Sequence, residues 1–458
     1  MKDATYKNYL LTVLLVIYAF NFVDREALGL VLENIKVDLQ LSDSELGLLS
    51  GIAFALFYSI MGIPIARWAD RGNRVTIISL TAALWSVMVA LCGMATSFVQ
   101  LLLIRIGVGI GEAGCVPPAH SLIADYFSRA ERPRASALYQ QGINVGVIVA
   151  YFLAGWLNQF YGWRIMFLLA GLPGFILAVV AWLTIREPRF TKSHIAVIGD
   201  ATASSLRKNP VGSPGPVDPS MKAVFLTLWT NTTFRHVLYG FSMWYFFGYG
   251  ISQWQPTFFV RSFGLSTGEL GTWLAVMYGV GGALGTYWGG SLATRYAPNN
   301  ERLQLRAMSV INLAFNGVLW ALIYVSHDYR VALALTGLGT VGGALMFGPL
   351  FATIQTLVPA HMRAMSIAIV LLCANLIGMG LGPLAVGVVS DALRPLFGQE
   401  SLRYALLALC PGYLWVSWHF WHASKTVTRD IEAAQCGMLH DAPDVAERYR
   451  RPLTDSLN

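Results

Sequence analysis

Leu101–Ala124 reads LLLIRIGVGIGEAGCVPPAHSLIA. It is long enough and apolar enough to cross a bilayer, since about 20 helical residues span the hydrocarbon core. Yet Arg105 and Glu112 lie well inside it, and four glycines fall between Gly107 and Gly114. A charge deep in a membrane helix costs at least about 2.5–3.5 kcal/mol unless it faces a partner or water. Residues seven apart share one helix face, about two turns from each other. The face holding Arg105 and Glu112 is therefore expected to look into the protein, as one wall of a transport pathway.

Composition sets the class. Of 458 residues, 55% are hydrophobic and only 12% are charged, against about 25% charged in globular proteins. Mean hydropathy is +0.54. These values describe an all-α polytopic membrane protein. The net charge of +7 does not imply nucleic acid. Lys and Arg sit in short loops between apolar spans, where they set orientation. The five cysteines (Cys92, Cys115, Cys373, Cys410, Cys436) show no paired spacing, and four lie in apolar spans. Neither a disulfide framework nor a metal site is expected from them. The first apolar run, from about residue 9 to 32, is too long for the core of a cleavable signal.

A window of about 19–20 residues finds roughly twelve spans. Six fall within 1–185, at roughly 9–32, 45–66, 75–95, 98–124, 135–158 and 163–185. Six more fall within 236–422, at roughly 236–260, 267–293, 304–325, 330–353, 363–388 and 402–422. Between the two six-helix halves lies a polar linker, 186–235, with NPVGSPGPVDPS at Asn209–Ser220. That Pro/Gly/Ser density cannot build a core. A charged tail occupies 423–458. Pro117, Pro118, Pro256, Pro349 and Pro383 interrupt spans and read equally as packing kinks or as gating hinges. Arg67, Arg71 and Arg74 lie between spans 2 and 3, Arg129, Arg132 and Arg134 between 4 and 5, and Arg295, Arg302 and Arg306 between 8 and 9. The linker is also basic, whereas the alternate loops in the first half carry little beyond Lys36 and Arg164. Both termini and the linker are thus expected in the cytoplasm, with the chain in the inner membrane. GIPIARWADRGNR at Gly62–Arg74 is faintly echoed after span 8 by GGSLATRYAP at Gly289–Pro298, as in transporters built from two related halves around a midplane site.

Gly62–Arg74, placed between spans 2 and 3, resembles the signature loop of the major facilitator superfamily, and Arg105-Ile-Gly-Val-Gly109 resembles its second motif. Asn21-Phe-Val-Asp24-Arg25, RIGVGIGEAG at Arg105–Gly114 and GMGLGPLAVG at Gly378–Gly387 resemble the spinster subfamily, in a bacterial homologue. The resemblance implies two pseudo-symmetric six-helix halves and proton-coupled alternating access, with no cofactor beyond the proton. It also implies a lipid-like, amphiphilic cargo such as a lysophospholipid or sphingoid phosphate, carried by a monomer among membrane lipids. A proton-driven drug or organic-anion transporter of the same fold is the nearest alternative. Drug antiporters of the superfamily often carry Gly-Pro in span 5, and Gln141–Gly146 (QGINVG) lacks it. A channel would favour pore rings from several copies, and an intramembrane enzyme would need a nucleophile or metal cluster at depth. The sequence offers neither pattern.

Within that plan, Asp24 and Arg105 reach similar depth in the outer half and are expected to pair, with protonation of Asp24 releasing Arg105. Glu112 falls about 10 Å deeper. A buried carboxyl without a partner suits a proton carrier. The competing reading of each is a bridge or packing residue that merely orders helices. Arg25 is expected to point elsewhere, and Glu26 to be interfacial. By resemblance, Asp70 latches the cytoplasmic gate in the outward-open state, within a cluster that includes Arg71 and Arg74. Gly62 is expected to permit close helix approach. A loop cluster that only fixes orientation is the alternative. Span 7 is aromatic, with Trp244, Tyr245 and Tyr249. The expected cavity is lopsided, with a headgroup near Arg105 and Glu112 and a tail against span 7, although such aromatics also serve as packing. Three patterns are set aside. Gly109-Ile-Gly111-Glu-Ala-Gly114 fits a dinucleotide fingerprint but has no preceding strand. His419 and His422 lack a metal-ligating partner in the sequence. The Asn231-Thr-Thr233 sequon falls on the cytoplasmic side.

Overall fold

The computed structural model describes residues 3–128, 130–189, 228–358 and 363–440, and no strand occurs among them. Seven helical stretches are long and apolar enough to cross a membrane by length and composition. Two of these, Arg134–Thr184 and Met365–Ala433, each fold back on themselves. Gly162 (φ 80°) turns the first and Gly398 (φ 57°) the second, a left-handed backbone that glycine adopts without a Cβ penalty. Three further rods of similar length bring the bundle to twelve, the number expected.

In chain order these are α1 (Asp3–Leu39), α2 (Asp43–Arg71), α3 (Arg74–Cys92) and α4 (Phe98–Tyr126). Helices α5 and α6 are the parts of Arg132–Thr184 before and after Gly162. They are followed by α7 (Thr232–Phe263), α8 (267–296), α9 (Glu301–Val325), α10 (Tyr329–Thr356), α11 (363–397) and α12 (401–440). Six rods precede the stretch 190–227 and six follow it. The expected linker lies largely outside the described residues. Helix α12 continues to His440, so the segment from 423 begins as helix.

The halves meet along glycine seams. A Cβ on Gly47 of α2 would come within 2.6 Å of the Pro383 carbonyl of α11, and one on Gly387 would strike the carbonyl of Asp43. On the other side, a Cβ on Gly155 of α5 would come within 2.5 Å of the Thr267 carbonyl of α8. Small residues let membrane helices approach this closely.

The end of the bundle away from the chain termini is pinned by ions. Asp43, fully buried at the start of α2, accepts from Arg261 of α7 at 2.7 and 2.9 Å and from Ser390 of α11 at 2.6 Å. It also pairs with Lys36 of α1. Arg261 reaches Glu33 of α1 at 2.5 Å. Asp391 of α11 accepts from the backbone N–H groups of Asp43 (3.1 Å) and Ser44 (2.7 Å), capping α2 from the opposite half. A carboxylate at a helix N-terminus satisfies orphan donors and the helix dipole together. At the terminal end, Asp70 and Arg71 are exposed, and the Asp70 carboxylate has no partner among the described residues. A Cβ on Gly62 would meet nothing within 4 Å, so this glycine makes no close helix contact here.

Arg74 departs from its expected place in an exposed gate. It is fully buried within the first half, donating to Asp125 (2.7 Å) and Ser121 (2.9 Å) and pairing with Glu187. It therefore ties the start of α3 to the ends of α4 and α6. Burial alone would push the Glu187 carboxyl up, but hydrogen bonds from Arg74 outweigh it and hold the carboxyl below its ordinary value.

Two predictions follow from these contacts. A depressed carboxyl stabilises the fold fully above the unfolded pKa and loses that stabilisation as pH falls through the folded value. Glu187→Gln is expected to cost about 3 kcal/mol at neutral pH, seen as a lower melting temperature in detergent, with the gap to wild type closing in acid. At the other end, Asp43→Asn leaves Arg261 and Lys36 underpaired. Spin labels at Gln40→Cys and Phe397→Cys, with native cysteines replaced, are expected to show a longer distance population in that variant.

Candidate functional site

The glycines of α4 set the position of its charged face. A Cβ on Gly109 would lie 2.8 Å from the Phe54 carbonyl of α2, and one on Gly111 would lie 2.7 Å from the Trp85 amide of α3. With hydrogens there, α4 sinks between α2 and α3 and presses Arg105 and Glu112 toward α1. The first helical segment of α4 ends at Glu112. The helix resumes at Val116, followed by Pro117 and Pro118, which cannot donate backbone hydrogen bonds.

Arg105 donates to Asp24 at 2.8 Å, and both side chains are about 2% exposed. Glu112, fully buried, does have a partner. Arg25 donates to it through Nε at 2.7 Å and also through Nη2. Asp24 and Arg25 leave α1 about 100° apart, but the long Arg25 side chain closes that offset. Aromatic rings guide it, since its guanidinium lies over Phe54 (4.5 Å), Phe22 (4.8 Å) and Tyr58 (4.8 Å). Arg105 lies over the same Phe54 ring at 5.3 Å. One aromatic thus shelves two cations, an arrangement favoured by the ring quadrupole.

The two pairs also touch. Asp24 Oδ1 and Glu112 Oε1 are buried without a hydrogen-bond donor, and the two carboxyl groups lie within hydrogen-bonding reach of each other. The order across the site is arginine, carboxyl, carboxyl, arginine. One proton between the inner carboxyls would satisfy both orphan oxygens, and a buried orphan acceptor is otherwise costly.

Beside this cluster, between the halves, lies a cavity of about 300 Å³. Trp244, Tyr245 and Tyr249 of α7 line it, with Tyr278 of α8 and Trp320 of α9. Arg105 and Glu112 do not, contrary to expectation. Arg105 reaches only a smaller void alongside Arg25 and Gln253, while Phe22, Glu26 and Tyr249 border both spaces. Each of these guanidiniums is occupied by its carboxylate, and no other cation lines either space among the described residues. Glu26 is not interfacial either. It lines the cavity and accepts from the Tyr151 hydroxyl of α5 at 2.8 Å.

The roles of Arg25 and Glu26 escaped the sequence reading, although charge matching held a clue. Spans 1 and 4 bury Asp24, Glu26 and Glu112 against Arg25 and Arg105, so a second arginine was needed for Glu112. No such clue announces Tyr278 or Asn316. Both sit in π-helical stretches, Ala275–Gly281 of α8 and Asn312–Leu319 of α9, that shift side-chain phase. A third such stretch, Ala374–Leu381, lies in α11. His419 contacts His236 of α7, Nδ1 to Nδ1 at 2.9 Å, but no metal-holding group occurs among the described residues. Asn231 caps α7 by accepting from the Phe234 N–H at 2.8 Å.

The family described as the Major Facilitator Superfamily matches residues 14–383. The chain belongs to the Major Facilitator Superfamily. It is a multi-pass membrane transporter by family and fold. An MFS-type efflux pump of Mycolicibacterium smegmatis is 31% identical over 92% of this chain and 93% of its own. A probable L-galactonate transporter of Escherichia coli is 29% identical over 58% of this chain and 57% of its own. A bacterial homolog to the human lysosomal transporter Spinster, in its inward-facing and unoccupied crystal form, superposes with a TM-score of 0.78 at 30% identity. That match covers 93% of this chain and 98% of the homolog. The spinster-like resemblance seen in spans 1, 4 and 11 therefore extends to the whole fold.

If Arg25 and Glu112 hold each other, either truncation alone strands a buried charge at a cost of about 3–5 kcal/mol. The double variant Arg25→Ala/Glu112→Ala is expected to recover much of that loss in thermal unfolding. Strictly additive losses would contradict the pairing.

Proposed function

We propose that this superfamily transporter is proton-coupled and moves a lipid-like or amphiphilic substrate by alternating access. The observation that carries the reading is the pair of carboxyls, Asp24 and Glu112, facing each other between two arginines beside the interdomain cavity. Adding or removing one proton there changes which arginine contacts are favoured, and so couples protonation to the packing of α1 against α4. A ligand or proton shifts such an equilibrium only through differential interaction with the two states.

The remaining geometry fits a cycle. The ion-pinned end, opposite the termini, is shut, and the Asp70 end is unlatched. With both termini and the basic loops in the cytoplasm of an inner-membrane protein, this is the inward-facing state, the state named for the spinster homolog. Asp70 would re-form its latch when the terminal end closes. The aromatic wall of α7 suits the apolar part of an amphiphile. Drug efflux by the same fold is a second reading, favoured by the efflux pump that is 31% identical over nearly the whole chain.

The test needs no substrate. Distances across the ion-pinned end, read with the Gln40→Cys and Phe397→Cys labels, are expected to respond to pH in wild type. The response is expected to vanish in Asp24→Asn and to weaken in Glu112→Gln. If both variants follow pH as wild type does, these carboxyls do not couple protons to the conformational change.

A further inference from the structure

Glu26 separates this cavity from a plain apolar groove. It is the one charged side chain among the described residues that line the space. Tyr151 fixes one of its oxygens at 2.8 Å. The Tyr151 ring stacks on Tyr278, centroids 5.5 Å apart, and that holds the tyrosine from behind. The other oxygen, Oε1, has no hydrogen-bond partner among the described residues and is not among the sealed-off polar atoms. It is therefore reachable from a void, and Glu26 lines both the cavity and the smaller space shared with Arg25 and Arg105.

With no proton on the inner pair of carboxyls, the local charge does not balance. Arg105 is taken by Asp24 and Arg25 by Glu112. Three carboxyls thus stand against two guanidiniums, and Glu26 is the one left over. Around it are tyrosine and tryptophan faces: Tyr245, Tyr249 and Trp244 from α7, Tyr278 from α8 and Trp320 from α9. Aromatic faces attract cations through their quadrupoles and can cage quaternary ammonium groups. A carboxylate among aromatic rings, with no basic group free to compensate it, is complementary to a positive charge. The same surface offers an anionic headgroup no positive charge among the described residues.

We propose that Glu26 and this aromatic wall form the recognition site for a cationic amphiphile, an amine or quaternary ammonium group joined to an apolar body. The inference rests on the transport reading above and gives it a substrate class. It also reverses the charge expected from an arginine-bound headgroup, because the structure already occupies both arginines.

The experiment uses two probes of matched shape and opposite sign, tetraphenylphosphonium and tetraphenylborate. Equilibrium binding is measured on the full chain in nanodiscs of uncharged lipid, without a proton gradient, in wild type and in Asp24→Asn alike. Wild type is expected to prefer the phosphonium, and Glu26→Gln to weaken it at least tenfold while leaving the borate unchanged. Glu26→Asp, which keeps the charge, is expected to stay within a few-fold of wild type. Three results would each overturn the proposal: equal phosphonium affinity in Glu26→Gln, a wild-type preference for the borate, or equal losses in the Asp and Gln variants. Competition by lysophosphatidylcholine but not lysophosphatidic acid would assign the charge to a lipid-borne choline, and competition by neither to a free organic cation. Because binding is read at equilibrium, a failure of proton coupling leaves this comparison intact.

Discussion

Two carboxylates and two guanidiniums held out of water in the middle of a helical bundle are the constraint to which the rest of this molecule answers. None of the four is tolerable alone in an apolar core, since an unpaired buried charge is strongly destabilising. Their mutual satisfaction dictates how close α1 and α4 must lie. That closeness explains the glycines of α4, whose hydrogens stand where any Cβ would meet α2 or α3. It also explains the Phe54 ring beneath both cations. Charge, small residues and a shared aromatic are one solution to one problem, the cost of polarity inside a membrane protein.

The second half of the chain solves a different problem. Neutral groups supply many of its interior polar contacts, as in the Tyr324 hydroxyl bonded to Gln255 at 2.5 Å and Gln255 bonded to Thr336 at 3.2 Å. It meets the first half through backbone seams and through the ion knot around Asp43. That knot joins α1, α2, α7 and α11 at the end away from the termini, and among the described residues no ion pair joins the halves at the other end. A bundle fastened at a single end encloses a cleft between its halves, and the cleft is where the aromatic wall lies.

Most of the architecture was readable in advance because membrane solvation is a severe filter. Apolar length, loop arginines and the glycine-rich motifs leave few alternatives to a twelve-helix transporter. The Asp24–Arg105 contact was legible too, because helical rise alone sets the two at one height. Arg25 was misjudged because a face argument treats side chains as short pegs. A guanidinium on a long stem reaches around its helix when rings guide it. Gly62 and Arg74 were misjudged for another reason. A loop motif shows which residues gather, but not whether a given arginine points across the halves or folds back into its own. The wall positions Tyr278 and Asn316 could not be phased at all, since a single extra residue per turn displaces every later side chain.

Those wide turns have a mechanical side. They occur in α8, α9 and α11, with none described in the first six helices. A π turn stores one surplus residue, and sliding that surplus along the rod swivels the intervening side chains by about 100° without lengthening the helix. The aromatic half can thus re-aim its rings by local rewinding, while the charged half keeps its register. One side of the transporter is thus built as an anvil and the other as an adjustable jaw.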